Sequence, residues 1–147
     1  MNRVLLAVAT FISMIFLTKS GFADADEKDL QVNFHNNTNY DCKVIDSDTK
    51  HGDWYAGPPK SIAAHHSASW GGSQDSYYGP DMVVVLKCGR YSLRLRNRQN
   101  FSCFMGGKQY CSYTADKHLT VSYKKVQNAS YGSGERGIAD VTVSFNG

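Results

Sequence analysis

The chain has 147 residues, a formal net charge of +3, 41% hydrophobic and 12% aromatic residues, and four cysteines. That is one domain's worth of chain. It is too short for a dinucleotide-dependent enzyme with a second substrate domain or for a (β/α)₈ barrel of about 250 residues, and too apolar for a disordered tail.

Met1 to Ala23 reads as a signal peptide: Arg3 supplies the positive start, Val4 to Leu17 is mostly apolar, and Gly21-Phe22-Ala23 offers a small-residue cleavage site. The apolar run falls short of the roughly 20 residues a membrane span needs. The acidic Asp24, Asp26 and Glu27 then open a single expected domain, residues 24–147. Removing the first 23 residues and their two cations leaves 124 residues with a net charge of +1, so no nucleic-acid partner is expected. The expected location is extracellular, or periplasmic in a Gram-negative cell.

Export sets the cysteine argument. Cys42, Cys88, Cys103 and Cys111 are an even set in an oxidising compartment, and none has the C-x-x-C spacing of a zinc or redox site. Of the three possible connectivities, Cys103–Cys111 across the turn at Met105-Gly106-Gly107 is preferred, leaving Cys42–Cys88 as a long clamp between strands. Four buried thiols are the alternative.

The rest of the chain alternates with period two in short segments bounded by Gly, Asn, Asp and Ser. Val32 and Phe34 alternate with polar neighbours before Asn36-Asn37-Thr38-Asn39, and Tyr40, Cys42 and Val44 continue on one face. Ala68 and Trp70 end at Gly71-Gly72. Met82 to Leu86 is continuously apolar, the pattern of a strand buried on both faces. Tyr91, Leu93 and Leu95, then Leu119, Val121 and Tyr123, then Ala139, Val141, Val143 and Phe145 complete the set. About eight strands without a helix predict an all-β fold, an antiparallel β-sandwich stabilised by disulfides; a barrel is the other closure.

Motifs for catalysis are lacking. Gly132-Ser133-Gly134-Glu135-Arg136-Gly137 matches G-x-G-x-x-G, but a strand pattern follows it where the dinucleotide motif needs a helix, so it reads as a hairpin loop. His65-His66 has no acidic or cysteine partner nearby, and adjacent strand residues face opposite ways, so no metal site is expected. Asp46 and Asp48 share one face as paired carboxylates or as polar turn residues. No cofactor is implied and no enzyme is specified; a small hydrolase ranks last.

Two surface features are more informative. Arg94, Arg96 and Arg98 project from one side of a strand whose other side carries Leu93 and Leu95, with Arg90 extending the stripe. Such a row holds phosphate or carboxylate bidentately, or is simply a solvated face. The second is aromatic residues in turn-rich sequence: Trp54-Tyr55, Tyr77-Tyr78, Phe104 and Tyr110. These suit a membrane interface, a sugar platform or a core. Asn36, Asn100 and Asn128 head N-x-S/T sequons, glycan acceptors in a eukaryotic secretory pathway.

His51-Gly52-Asp53-Trp54, Gly57-Pro58-Pro59-Lys60-Ser61-Ile62, then Ser67-Ala68-Ser69-Trp70 and Ser73 form an ordered series. Val32 to Asn37 precedes it and the strand from Gly79 to Leu86 follows. This series resembles the aegerolysin-like group of small secreted β-sandwich proteins, which includes bacterial crystal-toxin relatives, over about residues 31–88. The chain departs from the group's Gly-Thr-x-Gly stretch, carrying Gly79-Pro80-Asp81-Met82 there, and in its four cysteines. Pro58-Pro59 makes a stiff corner with Gly57 permitting the turn before it, and Ile62 and Trp70 plug the core.

The resemblance implies recognition of membrane lipid headgroups, with Trp54, Tyr55, Trp70, Tyr77 and Tyr78 at the membrane-facing end and Arg94, Arg96 and Arg98 available to phosphate. It also implies a component of a cytolytic or pore-forming system, acting through self-association or with a larger partner protein. The alternative is a secreted, non-enzymatic inhibitor or effector directed at a protein or glycan target.

Overall fold

The computed structural model describes residues 29–73, 79–102, 106–129 and 134–146. The expected signal segment, Tyr77, Tyr78, Cys103, Phe104 and the start of the Gly132 motif lie outside the described residues.

Ten strands and no helix are found among the described residues: β1 Leu30–Asn36, β2 Cys42–His51, β3 Asp53–Ala56, β4 Ser61–Ile62, β5 Ser67–Ser73, β6 Asp81–Cys88, β7 Tyr91–Ser102, β8 Gly106–Ala115, β9 Leu119–Gln127 and β10 Gly137–Phe145. They form two five-stranded sheets, ordered β3-β5-β1-β10-β9 and β4-β2-β6-β7-β8. The all-β sandwich expected from the alternation is present. One pair departs from antiparallel: β1 runs parallel to β10, from Leu30 opposite Gly137 to Asn36 opposite Val143. Parallel neighbours need a long crossover, and here nearly the whole chain lies between the two strands.

The period-two residues fill the space between the sheets. Leu30, Val32 and Phe34 of β1, Met82, Val84 and Leu86 of β6, Leu93 and Leu95 of β7, and Val141 and Val143 of β10 all belong to one buried cluster. Trp70 and Ile62 join it, and the Trp70 ring packs on Phe34 with centroids 5.6 Å apart. Each such side chain contributes about 1.5–3 kcal/mol when fully buried. β6 is covered on both faces at its centre: Val83 points outward, between Asp48 and Arg96 in the register, yet is only 4% exposed.

Three sequence expectations need correction. First, Cys42 and Cys88 sit directly opposite each other on β2 and β6 and are bonded, but Cys111 is a free thiol. The register of β7 and β8 pairs Cys111 with Asn97, five rungs from the Ser102–Gly106 end of the hairpin. At about 3.3 Å per residue, that places Cys111 well down the strand from the turn. Second, β8 is absent from the expected strands: of its positions level with Leu93, Leu95, Asn97 and Gln99, Gln109 is buried, Cys111 and Ala115 are half-buried and Tyr113 is exposed, so no alternation of branched apolar residues marks it.

Third, Gly57 is not needed for the corner it precedes. Its φ is not positive, and a Cβ there would meet nothing within 4 Å. The corner is the prolines' work: β3 lies in one sheet and β4 in the other, so Gly57-Pro58-Pro59 carries the chain across the sandwich with two φ angles fixed in advance.

Asn36 fixes the end of the sandwich where β1 turns into β2. Fully buried, its amide nitrogen donates to the carbonyls of Tyr40 (2.8 Å), Ile62 (3.2 Å) and Ala63 (3.0 Å). Its Oδ1 accepts from the Thr38 backbone N–H at 3.1 Å and the Thr38 hydroxyl at 2.7 Å. Asn36 is therefore closed to glycosylation in the folded protein, unlike the exposed Asn100 and Asn128.

Candidate ligand-binding surfaces

The outer face of the β4-β2-β6-β7-β8 sheet is zoned by strand. In register across β2, β6, β7 and β8 run Asp46, Val85, Arg94 and Thr114, then Asp48, Val83, Arg96 and Ser112. The apolar valines thus separate aspartates from arginines by two strand spacings, about 10 Å. Asp48 is occupied by an ion pair with Lys50, whose ammonium holds its carboxyl below the ordinary range. The two aspartates do not form a carboxylate pair with shared chemistry.

The three arginines share a face but not a role. Arg96 makes a two-point contact with the buried Asp81 carboxylate, Nε to Oδ1 at 2.8 Å and Nη2 to Oδ2 at 2.5 Å. That hydrogen bond lowers the Asp81 pKa against the opposing effect of burial. Arg98 lies over the Tyr110 ring, 4.9 Å from its centroid, and Lys108 approaches the same ring at 5.4 Å. Arg94 is exposed, and neither Arg94 nor Arg98 makes an ion pair among the described residues. A shallow cleft of about 250 Å³ lies here, lined by Arg96, Arg98, Tyr110, Cys111 and Ser112. Tyr110 belongs to β8 and not to a loop. Lys108 gives no signal in the sequence, because its place beside Arg98 depends on the β7–β8 register.

Of the five aromatic residues expected at one membrane-facing end, Trp54, Tyr55 and Trp70 are described. Trp70 is wholly enclosed in the core and offers no surface to a lipid. Trp54 is half-buried against the same core. Tyr55 accepts a hydrogen bond from Arg136 Nη1 at 3.0 Å, with the guanidinium 5.0 Å above its ring. Burial pushes the Tyr55 phenol up to about 12.

The opposite end of the sandwich carries an aromatic cluster that sequence spacing could not show. Tyr40 from the β1–β2 turn, Tyr91 at the start of β7 and Phe145 at the end of β10 meet edge to face, with centroids 5.1 to 6.5 Å apart, and His118 lies 5.4 Å from Tyr91. With Asn39 and Asn146 they line a cleft of about 260 Å³.

His65 and His66 lie exposed in the β4–β5 turn, hydrogen-bonded to Asn39 and to the Ala64 carbonyl. On the outer face of the other sheet, His35 Nδ1 lies 2.7 Å from Ser67 Oγ and its Nε2 3.9 Å from Asp140 Oδ1. A nucleophilic triad needs the carboxylate hydrogen-bonded to the imidazole, and 3.9 Å is beyond that reach. Asp140 Oδ1 instead accepts from Asn33 Nδ2 at 2.9 Å, so these residues form a polar ladder on an open strand face.

The fold and its surfaces define a β-sandwich with one basic sheet face and an aromatic-lined end. No protein-family model matches the sequence, and no curated protein matches it. Among solved structures, it is similar to the crystal structure of the lipid binding protein Nakanori, with a TM-score of 0.58 at 9% identity, covering 81% of this chain and 71% of that one. At that identity the likeness is one of fold, and it supports the sandwich that the aegerolysin-like motif series implied.

Proposed function

We propose that the protein is a secreted, non-enzymatic binder of membrane lipid headgroups, and that Arg98 and Lys108 beside Tyr110, with Arg94 further along β7, contact lipid phosphate. The observation that carries this reading is the exposed Arg94 and the half-buried Arg98 on β7, neither in a salt bridge among the described residues, with Arg98 over a tyrosine ring suited to the membrane interface. The fold likeness to a lipid binding protein supports it.

Magnitudes limit what one copy can do. Each cation near an anionic surface is worth about 1 kcal/mol. Three therefore reach about 3 kcal/mol, weaker than the 4.1 kcal/mol of a millimolar complex. Stable attachment then requires several copies or a larger partner protein, which is where a cytolytic or pore-forming role would enter.

The test is co-sedimentation with vesicles of phosphatidylcholine alone and with added phosphatidylserine, at physiological salt. Binding to the anionic vesicles that is lost in an Arg94→Gln/Arg98→Gln variant supports the reading. No binding to either composition overturns it and moves the weight to a protein target.

A further inference from the structure

Lys43 and Lys87 face each other directly across β2 and β6 on the outer face, one rung from the Cys42–Cys88 disulfide. Like charges directly opposite on neighbouring strands are destabilising, and here a covalent bond holds the two strands together beside them. Neither lysine makes an ion pair among the described residues. Asp41, the carboxylate in the same groove, accepts the Ala64 backbone N–H at 3.0 Å. The groove, about 500 Å³, is lined also by Asn39, Tyr40 and Ile45.

Asn39 and Tyr40 line the aromatic cleft as well. Tyr40, 49% exposed, is thus a shared wall between a cup of rings and a cationic groove. The cup has a polar rim: Asn39 engages His65 through Oδ1 at 2.9 Å, and Asn146 is held by its amide donating to the Lys117 carbonyl at 2.6 Å. Exposed His118 adds a ring nitrogen. Aromatic faces bordered by amide and imidazole groups suit a ring with apolar faces and a hydroxylated edge. Two adjacent unpaired ammonium groups suit an anionic substituent on that ring.

We infer that this end of the sandwich binds an acidic carbohydrate: a pyranose stacked against Tyr40 in the Tyr91–Phe145–His118 cup, with its negative group between Lys43 and Lys87. The site shares the outer sheet face with the arginines, Lys87 lying opposite Ser92 two residues before Arg94, but it uses none of them, and its test does not need a membrane.

The experiment is saturation-transfer NMR and titration of the folded protein with 3′-sialyllactose and with lactose, followed by vesicles carrying the sialylated sugar on ceramide. The expected result is signal from the pyranose ring protons of sialyllactose, with lactose weaker by at least about tenfold, since charge-assisted contacts are the strong ones. Lys43→Gln/Lys87→Gln should bring sialyllactose down to the lactose level, and Tyr40→Ala should abolish both. The Tyr40 carbonyl that Asn36 uses is retained in that variant, and the lysine pair gives a second readout on exposed positions. No signal from sialyllactose, or binding untouched by the lysine variant, overturns the inference. A ceramide-linked sugar bound more than about tenfold tighter than the free one assigns the ligand to a glycolipid; equal affinity assigns it to soluble glycan.

Discussion

Tyr55 and Arg136 are joined twice, by a hydrogen bond of 3.0 Å to the phenol oxygen and by the guanidinium lying 5.0 Å over the ring. Both side chains are at least half-buried, and Arg136 is 7% exposed. The ring lies where a side chain on Gly71 would be: a Cβ there would fall 2.1 Å from the Tyr55 hydroxyl oxygen. The contact ties β3, at the edge of its sheet, to the segment leading into β10.

Tyr55→Phe should therefore destabilise by about 1–3 kcal/mol, because the guanidinium loses a buried acceptor while the ring remains. Gly71→Ala should cost more, because Tyr55 must move. Alkali provides a sharper check. With the phenol at about 12 in the folded state against 10.0 unfolded, the unfolded chain loses its proton first. Stability is then complete below about pH 10 and declines as pH rises toward 12. Denaturant titrations across that window should show the decline in the parent and a smaller one in Tyr55→Phe; identical slopes would refute the assignment.

Asn36→Ala should be among the costliest single changes at a polar residue. It removes the Asn36 amide from the Ile62 and Ala63 carbonyls and from the Thr38 N–H at the end of the sandwich, and leaves the Tyr40 carbonyl with the Thr38 hydroxyl only. A loss of about 3 kcal/mol is expected, against little change for Asn37→Ala on the exposed neighbour. Chemical denaturation of the two variants separates the outcomes. Expression in a glycosylating host should modify Asn100 or Asn128 and never Asn36 in folded protein, which peptide mapping reads directly.

The Cys42–Cys88 bridge closes a sequence separation of 46 residues. Chain-entropy reasoning gives it about 4 kcal/mol. Cys42→Ser/Cys88→Ser should lower the melting temperature accordingly, while Cys111→Ser should leave it nearly unchanged. Cys111 should label with a thiol reagent only slowly, since burial raises its pKa. Rapid labelling at neutral pH would count against the partly buried position.

Asp81 holds Arg96 by two hydrogen bonds and faces Arg98 across the β6–β7 register, so its removal should act in two directions. Arg96 holds the Asp81 carboxyl below its ordinary 3.8. That stabilisation is present above pH 3.8 and is lost as pH falls through the folded-state value. Asp81→Asn should lower stability at neutral pH and flatten its acid dependence. It should also free Arg96, tightening binding to phosphatidylserine vesicles by about fivefold at roughly 1 kcal/mol per added cation. Unchanged or weaker vesicle binding would show that the arginine face is not the contact surface.

The strands most legible in sequence were those with one branched or aromatic side chain at every second position, such as β1 with Val32 and Phe34 and β10 with Val141 and Val143. β3, β4 and β8 escaped notice for different reasons. β4 is two residues long, β3 is short and lies at an edge, and β8 turns Gln109 and Cys111 inward while Tyr113 stays exposed. The aromatic and arginine candidates could be named but not sorted. Nothing local distinguishes Trp70, closed in the core, from Tyr40, half in solvent, since each sits beside Gly, Asn or Ser.

The sequence by itself determined the class of fold, the two-faced strands and the Pro58-Pro59 corner, because alternation and fixed φ angles act over a few residues. It also marked the row Arg94, Arg96 and Arg98, since every second residue of a strand shares a face. Tertiary structure alone decided which arginine was neutralised, because Asp81 reaches Arg96 only through the β6–β7 register. It alone set Lys43 against Lys87 and gathered Tyr40, Tyr91, His118 and Phe145 at one end. These meetings depend on register and on sheet-to-sheet packing among residues up to 105 positions apart, and no local pattern encodes a contact that only the closing of the sandwich creates.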